Sequence, residues 1–132
     1  MFIDASAIVA FLANEPEKAQ IMKILSKEGN ILFSPITVFE TVNALVKQYD
    51  VPFEKAKFLV LSFLDELKAR NIPITTDIQM FALEASEKYG RGRHPADLNM
   101  GDCFSYACAK RHHVPLLFKG NDFTHTDIQS VL

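Results

Sequence analysis

Short apolar runs take turns with longer segments of helical period along this chain, and that alternation limits the fold more than any single residue does. Strands and helices that alternate in this way build a parallel sheet with crossover helices on its faces. The predicted strands are Met1–Asp4, Asn30–Phe33, Ile72–Ile74 and Val114–Phe118, and the lengths between them suffice for crossovers. Helices are predicted at Ser6–Ala13 and Pro16–Lys27, with Pro16 in a first turn and Gly29 as the stop. A further helix starts at Ser34-Pro35 and carries Val38, Val42, Leu45 and Val46 at three- and four-residue steps to about Tyr49. Pro52 opens the next, whose apolar face is Phe53, Ala56, Leu59, Val60, Phe63, Leu64 and Leu67, and these two are expected to pack as a hairpin. Another runs from about Asp77 to Tyr89, capped by Thr76 or Asp77, and a last one from about Met100 to His112. Between those two, Gly90-Arg91-Gly92-Arg93-His94-Pro95 is rich in turn formers and cations and is expected to be an exposed loop.

A chain of 132 residues buries roughly two thirds of its unfolded surface, so residues 1–132 are expected to form one domain. The net charge of −2 gives no global basic footprint for nucleic acid. Lys88, Arg91, Arg93, Lys110, Arg111 and Lys119 nevertheless fall in one stretch, which is either a local basic rim or a set of solvated helix faces and a loop. The two cysteines, Cys103 and Cys108, lie five residues apart in one predicted helix and point in different directions, so no disulfide between them is expected. The chain opens on a strand without a basic leader, and its longest apolar stretch, Ala5 to Ala13, is too short to cross a bilayer. The expected compartment is a reducing cytoplasm.

Ligands of open parallel sheets bind beyond the carboxyl ends of the strands, which makes the acids near those ends the informative ones. Asp4 closes the first strand, Glu40 lies in the opening turns of the helix after the second, Asp102 sits in the first turn of the helix after the Gly-Arg loop, and Asp122 follows the last strand. Each has a plain structural use: a cap, a surface acid or a turn former. Asp4 and Asp102 nevertheless adjoin apolar helices and hence the core. Crowded carboxylates repel one another and bind protons more tightly unless a cation neutralises them. With Mg²⁺ or Mn²⁺, an all-oxygen site of this kind binds phosphate and activates water, and phosphodiester hydrolysis is the reaction it serves best.

The stretches Met1-Phe2-Ile3-Asp4-Ala5-Ser6-Ala7-Ile8, Leu98-Asn99-Met100-Gly101-Asp102-Cys103-Phe104-Ser105-Tyr106-Ala107 and Leu116-Leu117-Phe118-Lys119-Gly120-Asn121-Asp122-Phe123, with Glu40 between the first two, resemble the ordered motifs of PIN-domain, VapC-type toxins. The resemblance covers residues 1 to about 128. It implies a three-layer α/β/α sandwich around a parallel sheet of four to five strands. It further implies a magnesium-dependent (or manganese-dependent) endoribonuclease, a homodimer, and a small VapB-type antitoxin that presents a peptide to the cleft. Asp4, Glu40 and Asp102 would be the catalytic and metal-site acids, with Asp122 a fourth and Ser6 a hydrogen-bonding neighbour. Many relatives carry two acids where this chain has Asn121-Asp122, so Asn121, also expected next to the metal ligands, weakens a second metal site.

Arg91, Arg93 and Lys119 are the candidate RNA contacts, because cations supply sequence-independent affinity for phosphates. His94, His112, His113 and His125 show no zinc-type spacing and are expected in loops or on the surface. Tyr89 and Phe123 either stack on bases or fill the core. No Walker glycine loop, no Gly-x-Ser-x-Gly elbow and no evident cysteine–histidine pair occurs, and the residues after Asp4 lack the second acid of a phosphoaspartyl enzyme. The remaining rival is a PIN-like fold kept as a non-catalytic protein- or RNA-binding module.

Overall fold

The computed structural model describes residues 1–132. Its elements in chain order are β1 (Phe2–Ile3), α1 (Ala5–Leu12), α2 (Lys18–Leu25), β2 (Leu32–Phe33), α3 (Pro35–Tyr49), α4 (Phe53–Glu66), β3 (Arg70–Asn71), α5 (Thr76–Tyr89), α6 (Met100–Arg111) and β4 (Leu116–Leu117). All strand pairs are parallel, and the sheet order is β3-β2-β1-β4. The sheet has four strands, and an isolated parallel bridge from Leu116 to Ser130 brings the C-terminal segment alongside β4.

Side chains alternate across a strand, and β1, β2 and β4 are apolar on both faces because helices cover both. Ile3, Phe33 and Leu117 join a core cluster with residues of α1, α2, α3 and α4. Phe2, Leu32 and Leu116 point the other way, into a second cluster with residues of α5 and α6. The result is the three-layer α/β/α sandwich, with α3 and α4 packed as the expected hairpin.

Several local expectations are corrected. The third strand is Arg70–Asn71, both exposed, and not Ile72–Ile74; Ile72 donates its N–H to Phe33 O and ends the pairing. The backbone ladder, and not apolarity, decides which residues of that edge pair. Helix α2 starts at Lys18 and leaves Pro16 in the turn before it. Helix α5 is capped by Thr75, whose hydroxyl accepts from Ile78 N, so neither Thr76 nor Asp77 is the cap. Phe53, expected on the buried face of α4, is exposed, whereas Thr37 and Thr41 of α3 are buried, Thr41 returning its hydroxyl to Thr37 O. Cys103 and Cys108 are free, as their spacing predicts, and both are buried. No helix is long and apolar enough to cross a membrane.

The order of the strands positions the site. The chain runs outward from β1 to β2 and β3, then crosses back to place β4 on the other side of β1. Such a reversal opens a crevice at the carboxyl ends of the two strands that flank it. Asp4 follows β1 and the Lys119–Asp122 segment follows β4, so both enter that crevice.

Candidate active site

At the crevice lies a cleft of about 330 Å³ lined by Asp4, Ser6, Glu15, Glu40, Gln48, Asn99, Asp102, Lys119 and Asp122, among others. The four acids singled out from the sequence therefore come from four separate segments to one cavity. Asp4 is buried and is the N-cap of α1. Its Oδ2 accepts from Ser6 N at 2.9 Å and from the Ser6 hydroxyl at 2.6 Å, and its Oδ1 accepts from the Ser105 hydroxyl at 2.6 Å. Ser6 Oγ in turn accepts from Lys119 N at 3.0 Å, which ties the end of β4 to the start of α1.

Asp102, also buried, is the third residue of α6 and closes a capping box: Asn99 Oδ1 accepts from Asp102 N at 2.9 Å, and Asp102 Oδ2 accepts from Asn99 N at 3.1 Å. The capping role and the site role thus coexist in Asp4 and in Asp102. Asn99→Ala should cost about 1 kcal/mol of stability, the ordinary worth of an N-cap, and free the Asp102 carboxylate to rotate. Urea denaturation checks the first effect.

Electrostatics record how crowded these carboxylates are. Burial first, then the charges of Asp4 and Asp102, push Glu40 up to about 7. Burial likewise raises Asp102 to about 7 against the opposing bond from Asn99, with Asp4 and Asp122 adding to the rise and Arg91 reducing it. Asp122, at the exposed mouth, is raised by partial burial and by the charge of Asp4. No three of the His, Cys, Asp and Glu side chains close into a ready-made metal cage. An open ring of carboxylates is nonetheless the donor set that suits a hard cation such as Mg²⁺, which keeps several of its waters and takes one or two carboxylates directly.

Other candidates fall elsewhere. Lys119 lines the cleft, but its ammonium lies 2.6 Å from Glu15 Oε2 and 3.2 Å from Glu17 Oε2. Asn121 lines a separate depression with Phe118, Gly120 and Thr124, and its carbonyl accepts from Thr124. Arg91 is 3.7 Å from Asp97, and Arg93 donates to Ser86 O; both line a hollow beside the cleft with Leu83, Met100 and Phe104. Lys110 pairs with Asp127 and Arg111 with Asp77, so much of the basic stretch is neutralised within the chain. Tyr89 and Phe123 are core residues.

Four participants were not read from the sequence. Ser105 stands one helical turn after Asp102, a spacing that puts it on the same face and was the available signal. Asn99 three residues before Asp102 carried the capping-box signal. Glu15 and Gln48 carried none, because nothing local says which helix end or face borders the crevice.

The profile of the PIN domain matches residues 1–129. A VapC ribonuclease of Rhizobium meliloti is 39% identical over 139 residues, covering 96% of this chain and 98% of the relative. Ribonuclease VapC30 of Mycobacterium tuberculosis is 37% identical over 131 residues, covering 99% and 98%. Among solved structures, VapC20 of Mycobacterium tuberculosis, described as a sarcin–ricin loop cleaving toxin, superposes with a TM-score of 0.77 at 16% identity over 96% of this chain and 95% of that one. One from a toxin–antitoxin complex of Klebsiella pneumoniae gives 0.72 at 18% identity, covering 99% and 95%. The fold and the sequence agree: the chain belongs to the PIN-domain family, and within it to the VapC branch.

Proposed function

We propose that this protein is an endoribonuclease, the toxin of a type II toxin–antitoxin pair, that hydrolyses RNA phosphodiesters with Mg²⁺ or Mn²⁺ held by Asp4, Glu40, Asp102 and Asp122. The convergence of these four carboxylates in one cleft carries the reading. A bound divalent cation supplies transition-state charge stabilisation and a water of lowered pKa. The protein's own contribution is placement. The Ser6 and Ser105 hydroxyls fix both oxygens of Asp4, and the capping box fixes one oxygen of Asp102, leaving its other oxygen without a hydrogen bond in the capping box. Glu40 and Asp102, whose proton affinity burial and crowding raise in the metal-free protein, would give up those protons to a bound cation and hold it as carboxylates.

The experiment is cleavage of single-stranded and structured RNA by purified protein with Mg²⁺, with Mn²⁺, and with EDTA. Cutting that requires the metal supports the reading. Intact RNA under every condition, together with equal growth arrest or equal growth for wild type and Asp4→Asn on overexpression, would leave the binding-module reading in its place. Lys119 bears on RNA affinity: Lys119→Met removes the one lysine of the cleft and leaves Glu15 and Glu17 uncompensated. Because that ammonium is paired with both acids, the effect comes through their uncovered charges, which repel phosphate: a rise in KM of about 3- to 10-fold with a smaller change in kcat is expected. Steady-state kinetics on a short RNA measures the split.

The partner in this reading is a small VapB-type antitoxin whose C-terminal segment brings a cation to the carboxylates. The α3–α4 hairpin supports it, since Phe39, Phe58 and Leu61 are exposed there, with Phe39 next to Glu40 in the chain. Exposed Met80, Leu83 and Met100 favour a homodimer through the α5–α6 side. Co-purification from the native operon tests the antitoxin, and recovery of free toxin alone counts against it. The cytoplasm, where RNA is and where Cys103 and Cys108 stay reduced, is the proposed compartment.

A further inference from the structure

Asp4 and Asp102 are held in place by hydrogen bonds, whereas Glu40 reaches the cleft from α3 across a gap to α6. What it meets there is Gly101. A Cβ on Gly101 would stand 1.9 Å from Glu40 Oε2, 2.2 Å from Oε1 and 2.2 Å from Cδ, and no other atom comes as near. The Glu40 carboxylate therefore occupies the volume that any side chain at position 101 would fill.

Backbone conformation does not account for a glycine at this point. Its φ is not among the positive ones, which for glycine are confined to Gly92 and Gly120, so the backbone there is open to any residue. It is the second residue of α6, and within a helix glycine is a poor choice beside alanine. It is buried, so a small side chain would ordinarily add packing.

We infer that Gly101 is a positioning residue: its missing side chain forms the seat that directs the Glu40 carboxylate into the acid cluster, at a cost in helix propensity. This rests on the metal-site reading above and adds a residue that acts on the metal only through Glu40. Alanine at 101 forces Glu40 to rotate away, which a flexible side chain does cheaply, so the fold survives while the metal loses one of its acids. Stability and metal affinity then move in opposite directions, an outcome that a glycine needed merely for close helix packing would not give.

The test is Mn²⁺ titration calorimetry without RNA, thermal melting of the metal-free protein, and RNA cleavage, on wild type, Gly101→Ala, Glu40→Asp and the double variant. Gly101→Ala should melt no lower than wild type and bind Mn²⁺ at least about 10-fold more weakly, as is usual when a group that orients a metal ligand is altered. In the Glu40→Asp background, whose shorter side chain withdraws from the seat, adding Gly101→Ala should change Mn²⁺ affinity by less than about 2-fold, the signature of two coupled positions. If Gly101→Ala does not fold, Glu40→Ala/Gly101→Ala must fold, because the clash is gone; failure of that pair as well overturns the inference. Wild type and Gly101→Ala binding and cutting alike overturns it while leaving the functional reading intact. A wild type that neither binds Mn²⁺ nor cuts RNA overturns both.

Discussion

Asp4→Asn is expected to fold as the wild type does and to cut RNA on the order of 10³-fold more slowly, about 4 kcal/mol of barrier. The substitution is nearly isosteric, and asparagine caps a helix as well as aspartate does, so α1 keeps its N-cap. The Ser6 N–H and hydroxyl still find an acceptor at Oδ1, and the Ser105 hydroxyl turns to accept from the new amide. What is lost is the negative charge of a buried carboxylate of the cleft, on which transition-state stabilisation by a cation depends. Circular dichroism and single-turnover cleavage separate the two effects. A variant that unfolds, or one that cuts within a few fold of wild type, contradicts this placement of Asp4.

The second large effect is the dependence of stability on pH and metal. Glu40 and Asp102 bind protons with folded values of about 7, above the ordinary 4.5 and 3.8. For acids raised in this way the native state holds protons that the unfolded chain has released. Their contribution to stability is therefore full below about pH 4 and is lost as pH rises through about 7. Metal-free protein should be less stable at pH 8 than at pH 5 by on the order of 2 kcal/mol from these two groups, a figure reduced for solvent screening because Glu40 is half-exposed. Saturating Mg²⁺ or Mn²⁺ should reverse the trend, raising Tm at pH 8 and releasing about one proton per ion at pH 7, since each of the two acids is about half protonated there. Melting curves at several pH values, with EDTA and with metal, measure this. A metal-free Tm that climbs steadily from pH 5 to pH 8 would contradict the crowding.

The same crowding explains why much of the site is legible in the sequence. Asp4 and Asp102 stand out because an acid at the mouth of an apolar helix has to be either a cap or a ligand, and here each is placed for both. Glu40 is harder to read, because its side chain crosses from α3 to α6 and only its place early in α3 marks it. The seat at Gly101 stays hidden for the same reason: a glycine in a helix start is ambiguous until the opposing side chain is known. The fold class follows from the alternation of apolar runs and helical periods, but the order β3-β2-β1-β4 is a fact of long-range pairing with no local trace. Without that order, the crevice between β1 and β4 cannot be located, and Glu15, which joins it from the end of α1, remains an unremarked surface acid. The misplaced third strand has a related cause: Arg70 and Asn71 pair at an exposed edge, where apolar content gives no guide.

The most direct measurement is anomalous diffraction from crystals soaked in Mn²⁺. A peak within about 2.5 Å of carboxylate oxygens of Asp4 and of Glu40 or Asp102 is expected, with waters completing the shell. A cleft free of anomalous density at saturating Mn²⁺, or an ion beyond reach of all three acids, would contradict the claim that these carboxylates share one cation.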